Sequence, residues 1–405
     1  MKYIVILCDG MAGWPIDSLG GKTTIQAAHR PAMNTLATLG RTGLLYTVPA
    51  AYEPGSEVAN LAVLGYDLDK VFEGRGSLEA ASMGVAIEDG EVAMRCNLIT
   101  IDGESKIKNH SAGHISSDDA KVLIDYLQQE LGGGDLNFYP GVSYRHLLKL
   151  KGGDKHLCCT PPHDVLGTPF RDVMIRATTP QGESTAKLLN DLTLRSQELL
   201  ASHPLNLQRV AEGLAPANSI WLWSPGYRPA MQTLGEKYGL QSGSVISAVD
   251  LIKGIGVYAG LDVIEVEGAT GLYNTNYEGK TQAAIEALRH QDFVFLHIEA
   301  SDEAGHEGDA ALKVRTVEDQ SERVLATIME AVKEFDEQVT IALLPDHPTP
   351  CALRTHTRDA VPFVIYNPTL EGDKVCVYDE FAVKDGFYGE LRGEEFMKSL
   401  LNINY

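Results

Sequence analysis

The chain is poor in cysteine, in basic residues and in long apolar runs. Its six cysteines (Cys8, Cys96, Cys158, Cys159, Cys351 and Cys376) are scattered over 405 residues, and none forms a CxxC pair. Spacing therefore indicates neither a thiolate zinc site nor a disulfide framework, and the usage fits a reducing compartment. Lys plus Arg total 34 against 55 Asp plus Glu, a formal net charge of −21. A surface that acidic repels nucleic acid and anionic membranes, so neither is expected as a partner. An anionic substrate would need local cations, and metal ions are the obvious source. No apolar run approaches the length of a membrane span, and the run in MKYIVILCDG is too short for a signal-peptide core. A cytoplasmic location is the expectation. Also missing are a Walker-type phosphate loop, internal repeats and low-complexity tracts. A homo-oligomer is compatible with this composition.

What is present is ample core material, 44% hydrophobic, in a chain long for one ordinary domain. Residues 3–8, YIVILC, form a continuous β-rich run that ends at Asp9-Gly10. It reads as a buried parallel strand that delivers a carboxylate at its C-terminal end. FVFLHIEASD (293–302) runs likewise into Asp302, and VTIALLPDH (339–347) into Asp346 and His347. Between them, 310–336 carries apolar residues at helical spacing. Strand, helix, strand predicts an α/β fold with a mainly parallel sheet flanked by helices. Open parallel sheets build their sites at strand C-termini, where all three carboxylates fall.

The middle of the chain differs. Short strand-like runs (VAMRCNLITI, YRHLLKLKG), a helix over 118–131 and glycine turns at 132–134 predict an inserted α+β module. The expected division is a discontinuous core of 1–85 with 185–405, and an inserted lid or substrate domain of 86–184. The stretch 184–201 reads as a helix returning to the main sheet. SIWLWSP (219–225) reads as a strand and 245–260 as a helix, both of α/β type.

Single ligand signals here are weak. Asp302 and His306 are four apart, the spacing of one helix face, although Gly305 suggests a looser loop. Asp346 and His347 are adjacent, and at a strand end two neighbours can address two different ions. His356 follows just before another apolar strand, a position that is ordinarily a polar loop. Together these segments offer three histidines and two carboxylates at neighbouring strand ends, and Asp9 adds a third carboxylate. Three carboxylates so close repel one another unless cations lie among them. Mixed His/Asp ligation suits Zn²⁺ or Mn²⁺ better than Ca²⁺. Ser56, in EPGSEVANLAVLGYD, follows Gly55 at the expected start of a helix. Such a serine commonly caps the helix. Beside a metal set, at a helix N-terminus that favours phosphoryl oxygens, it is instead the candidate nucleophile.

Taken in order, Asp9-Gly10, Gly55-Ser56, Asp302 to His306, Asp346-His347 and His356-Thr357 resemble the alkaline phosphatase superfamily. More narrowly, the chain resembles the archaeal type of cofactor-independent phosphoglycerate mutases. GSEVANLAVLGYDL (55–68), FEGRGSLEAASMG (72–84), SAVDLIKGIG (247–256), EGATGLYNTN (267–276) and PDHPTPC (345–351) look like that family's segments. The resemblance implies two divalent ions, Mn²⁺ or Zn²⁺ with Mg²⁺ as the alternative. Asp302, His306 and His356 would hold one, and Asp9, Ser56, Asp346 and His347 the other. It implies a small phosphorylated metabolite as substrate, a phosphoserine at Ser56 and no 2,3-bisphosphoglycerate. It further implies that the inserted module closes over the substrate and keeps water from the phosphoserine. Arg75, Arg145 and Lys280 match family positions as substrate anchors, and His163-Asp164 matches a family loop.

One stretch departs from the family. Where its mutases carry Asp-Arg-Arg-Ala-Gly-Arg, this chain reads Asn109-His110-Ser111-Ala112-Gly113-His114. His110 and His114 then stand where permanent cations are expected, which weakens any clamp on a doubly anionic group. A branch of the family proposed to act as a homoserine kinase would need no such clamp, and gives the alternative reading. A metal-stabilised binding protein without catalysis is disfavoured by the complete ligand set and by Ser56.

Overall fold

The computed structural model describes residues 1–403. The chain forms two compact units, one built from Met1–Phe72 with the chain from Ala230 onward, the other from Glu73–Pro229.

The first unit is organised on an eight-stranded sheet. Its order is Asp262–Val263, Gly243–Ile246, Phe293–Ile298, Lys2–Cys8, Val339–Leu344, Val361–Tyr366, Arg41–Tyr46 and Gly389–Arg392. Only Val361–Tyr366 runs against the others, so the sheet is mainly parallel. Lys2–Cys8 is central, and Ile4, Val5, Ile6, Leu7 and Cys8 are wholly buried. That explains the continuous apolar runs: helices cover both faces, so no position alternates toward water. Each such side chain contributes about 1.5–3 kcal/mol on burial.

Register places the site. Cys8 lies opposite Ile298, and Leu7 opposite Leu344. The chain therefore leaves all three strands at one level, which brings Asp9, Asp302 and Asp346 to one end of the sheet. Gly10 makes the first turn. Its φ is +61°, and a Cβ there would lie 2.5 Å from Asp302 Oδ1, so no side chain fits.

After Phe293–Ile298 the helix Ala300–Glu307 begins almost at once. Gly305 lies within it, so the looser loop expected there is not formed, and Asp302 and His306 share a helix face at i,i+4 spacing. The helical run over 310–336 is broken by a π-turn, Gln320–Leu325, between Ala310–Asp319 and Ala326–Ala331.

The second unit is antiparallel. Glu91–Ile101 pairs with Arg145–Lys151, with Ser219–Gly226 and with Ile107–Asn109. The helices Ser117–Leu131 and Glu183–Ala201 bury Leu123, Leu127, Leu189 and Leu192 against Met94, Leu148 and Leu222 of the sheet. This unit takes in more chain than the 86–184 expected from the sequence. The helix Arg75–Ser82 packs on Glu91–Ile101, and Ser219–Gly226 is that strand's antiparallel partner rather than part of the main sheet. Apolar periodicity shows that 219–226 is a strand but not which sheet it joins.

Candidate functional site

Asp9, Asp302 and Asp346, 1%, 4% and 0% exposed, meet three imidazoles at the end of the main sheet. His306 Nε2 lies 3.1 Å from Asp302 Oδ2, and His356 Nε2 lies 3.3 Å from Asp302 Oδ1. His347 Nε2 lies 3.3 Å from Asp346 Oδ2 and 3.6 Å from Asp9 Oδ1. Two overlapping groups have ligand atoms mutually close enough to share an ion: Asp302, His347 and His356, and Asp9, Asp346 and His347. Ser56 is the first residue of the helix Ser56–Val63, with Gly55 extended before it. Its Oγ is 3.2 Å from His347 Nε2 and 3.5 Å from Asp9 Oδ2. Residues from five separate segments thus converge as the strand-end reading expected.

The donor set fits divalent cations. Asp9 Oδ1 is buried with no hydrogen-bond partner, although a buried carboxylate oxygen ordinarily has one. His306 Nε2 and His356 Nε2 face each other at 3.0 Å, both beside Asp302. Only one of two facing ring nitrogens can donate to the other, and an ion satisfies both. Without a cation the charges strain one another. Burial, then the Asp346 and Asp302 carboxylates, push Asp9 well above the usual carboxylate range. Burial also disfavours charge on Asp302, but hydrogen bonds from His306 and His356 outweigh it and hold that carboxyl well below its usual range. The hydrogen bond to Asp302 raises His306 to about 9, while burial lowers His347.

Several supporting groups escaped the sequence reading. His297, wholly buried inside FVFLHI, places Nε2 2.9 Å from Asp9 Oδ2 and Nδ1 3.1 Å from Ser247 Oγ. Ser247 Oγ accepts the Val249 N–H, which leaves its own hydrogen for His297 Nδ1. Nε2–H then donates to Asp9 and leaves Oδ1 open. Asn60, one turn after Ser56, donates to Asp346 Oδ2 and to the Ser56 carbonyl, each at 2.9 Å. Gly10 N–H donates to Asp346 Oδ1 at 3.1 Å, and Thr349 Oγ1 to Asp302 Oδ1. A histidine in an apolar strand and an asparagine in a helix carry no local signal; only the strand register exposes them.

The substrate-binding candidates divide between the units. Lys280 belongs to the first unit and is wholly buried, its Nζ donating to His297 O at 3.2 Å. Burial lowers its pKa to about 8. In the second unit the His110 ring lies 5.7 Å from Tyr144 and 6.1 Å from His163, which lies 5.7 Å from Trp223. His114 reaches Tyr144 at 6.5 Å, Arg145 stacks over that ring at 5.7 Å, and Asp164 lies 3.5 Å from His163. Arg75 N–H donates to Ser224 Oγ at 3.0 Å. The sequence reading missed Arg95, which is 8% exposed, stacked 4.3 Å over Trp223 and 3.1 Å from Glu79. Burial first, and then Arg75 and Arg145, disfavour its charge, so the three guanidinium groups form one cationic neighbourhood. Burial and neighbouring imidazoles lower His110; burial together with Arg95 and Arg75 lowers His163. Both shifts favour the neutral ring.

Buried carboxylates and imidazoles at parallel strand ends, beside a serine at a helix N-terminus, define a metal-dependent phosphotransfer enzyme. Comparison with known proteins narrows the class. A family model described as 2,3-bisphosphoglycerate-independent phosphoglycerate mutase matches residues 37–206. A protein of that name from Methanosarcina acetivorans is 50% identical over 406 residues, covering 100% of both chains. A Geobacter sulfurreducens protein described as probably the same enzyme is 48% identical, covering 96% of this chain and 98% of its own. Among solved structures, the cofactor-independent phosphoglycerate mutase of Thermoplasma acidophilum superposes with a TM-score of 0.70 at 27% identity, covering 100% of both chains. A Pyrococcus horikoshii protein gives 0.83 at 27% identity, covering 100% of this chain and 98% of its own. The chain belongs to the 2,3-bisphosphoglycerate-independent phosphoglycerate mutase family.

Proposed function

We propose that this chain interconverts 3-phosphoglycerate and 2-phosphoglycerate through a phosphoserine at Ser56. Asp302, His306 and His356 hold one divalent ion; Asp9, Asp346, His347 and the Ser56 hydroxyl hold the second. Mn²⁺ or Zn²⁺ suits these ligands best, with Mg²⁺ as the harder alternative. When bound, the ions acidify the serine hydroxyl and offset charge on the phosphoryl oxygens.

Ser56 Oγ forms a bond to phosphorus as the substrate's ester oxygen leaves, and the serine proton ends on that oxygen. In the second half the other glycerate hydroxyl attacks the phosphoserine, and Ser56 recovers a proton. No atom is gained or lost, so no priming bisphosphate is needed. The N-terminal amides of Ser56–Val63 favour the phosphoryl oxygens. His297 and Asn60 hold Asp9 and Asp346, and within the second unit Arg75 and Arg145 are the groups suited to a carboxylate.

The observation that carries this reading is Ser56 Oγ within 3.5 Å of both Asp9 and His347 at a helix N-terminus. What favours the mutase over a homoserine kinase is identity of 48–50% over nearly the whole chain to proteins described as phosphoglycerate mutases. Both assays on one preparation test it. Conversion of 3-phosphoglycerate without added bisphosphoglycerate, lost on chelation and restored by Mn²⁺, is expected. ATP-dependent formation of O-phosphohomoserine with no mutase turnover would overturn it.

A further inference from the structure

Lys313 is 1% exposed, on the helix Ala310–Asp319, and its hydrogen bonds go to no carboxylate. Its Nζ donates to Ala12 O at 3.0 Å and to Thr349 O at 2.7 Å. Burying an ammonium is costly, and a methionine of similar length would fill the same space. What only the ammonium provides is a pair of donors to two carbonyls on different loops. Ala12 lies on the turn that follows Asp9, and Thr349 on the turn that follows Asp346 and His347. The two turns already touch, because Thr349 N–H donates to Ala12 O at 3.1 Å and Met11 and Ala12 bridge to Pro348. Lys313 itself comes from the helix that follows the one bearing Asp302 and His306. One side chain thus ties together three of the five segments that carry the ligand set.

Glu380 holds the same turn at its next polar atom. Its carboxylate accepts the Gly13 N–H at 3.1 Å and the Thr23 hydroxyl at 2.8 Å. Ala12 O and Gly13 N, neighbouring backbone groups, are therefore gripped by a buried cation and a half-buried carboxyl. Thr349 passes the constraint inward: its carbonyl is held by Lys313 while its hydroxyl donates to Asp302. Burial lowers Lys313 to about 8 and raises Glu380 to about 7.

We propose that Lys313 and Glu380 are positioning residues, which lock the 10–13 turn onto the 348–351 turn and fix the spacing of the carboxylates and imidazoles before any ion arrives. The proposal rests on the metal-centre reading above. Metal-stripped full-length protein titrated calorimetrically with Mn²⁺ tests it, alongside thermal unfolding in EDTA. Lys313→Met is expected to weaken Mn²⁺ binding roughly 10–100-fold, the usual effect of losing an outer support, while still unfolding cooperatively in EDTA. Glu380→Ala is expected to act in the same direction, and carries the test if Lys313→Met does not fold. A folded variant that binds Mn²⁺ within twofold of the parent, whatever its melting temperature, overturns the clamp and leaves a purely structural role. Absence of Mn²⁺ binding by the parent protein overturns the metal-centre reading itself, and is told apart from failure of the clamp by that control.

Discussion

Replacing His297 with phenylalanine is the sharpest probe of the metal-centre reading. Phenylalanine fills nearly the same space in the strand Phe293–Ile298 but cannot donate to Asp9 Oδ2, now 2.9 Å from His297 Nε2. Asp9 Oδ1 has no partner, so the variant leaves the Ser56 hydroxyl, at 3.5 Å, as the carboxylate's remaining side-chain hydrogen bond. A hydrogen bond to a charged group is worth about 1.5–3 kcal/mol. At 1.36 kcal/mol per decade, that corresponds to roughly 10–150-fold in metal affinity. The loss is expected in one of two sites, because Asp302, His306 and His356 do not touch His297. Calorimetric titration of metal-stripped protein with Mn²⁺ should therefore show one weakened and one unchanged binding step. His297→Gln, which retains a donor, should recover part of the loss. If phenylalanine binds Mn²⁺ within threefold of the parent at both steps, or if glutamine is as poor as phenylalanine, the reasoning about Asp9 fails.

Ser56→Ala should remove phosphoglycerate turnover to the detection limit while leaving circular dichroism unchanged and metal still bound. Retained turnover would mean that the phosphoryl group passes elsewhere. In the second unit, His110→Arg with His114→Arg is expected to lower the KM for 3-phosphoglycerate about tenfold, the value of one charge-assisted hydrogen bond. No change would show that lost charge in that stretch does not limit binding. Ser111 is the wrong place for the same experiment, because it is 1% exposed and both its N–H and its hydroxyl bond Asn109 Oδ1. A pH test rests on His146, wholly buried in Arg145–Lys151, where burial lowers its pKa to about 3. The unfolded chain takes up that proton near pH 6.5 and the folded chain does not, so stability present above pH 6.5 drains away toward pH 3. The full shift amounts to about 5 kcal/mol at most. Urea midpoints followed by tryptophan fluorescence should fall over that window in the parent and fall less steeply in His146→Gln; equal slopes would refute the assignment.

Much of this was legible in the sequence, for identifiable reasons. YIVILC, FVFLHI and VTIALL read as buried parallel strands because a strand covered on both faces has no polar alternation, and each is followed within four residues by a ligand-type residue. Ser56 was legible because glycine followed by a serine marks a helix start. The order of the strands was not legible, since nothing local in SIWLWSP says that it pairs with Glu91–Ile101 rather than with the main sheet. Gly305 misled for the opposite reason: glycine weakens a helix, but here Thr349 O would lie 2.5 Å from any Cβ, and packing overrides propensity. His297, Asn60, Arg95 and Lys313 escaped because each is a polar residue with a partner 128 to 301 positions away. Side chains that complete a site from the interior leave no periodic trace.

The central place of Lys2–Cys8 has a consequence for biosynthesis. This strand precedes the rest of its sheet in the chain, and its two neighbours, Phe293–Ile298 and Val339–Leu344, begin 285 and 331 residues after Cys8. At the ~5–20 residues per second of translation, the opening segment waits on the order of 15–60 s for a partner. The strands of Glu73–Pro229 pair only among themselves, so that unit can close during the delay. The proposed cage takes its last ligand from His356, so a nascent or truncated product that stops before that residue lacks it.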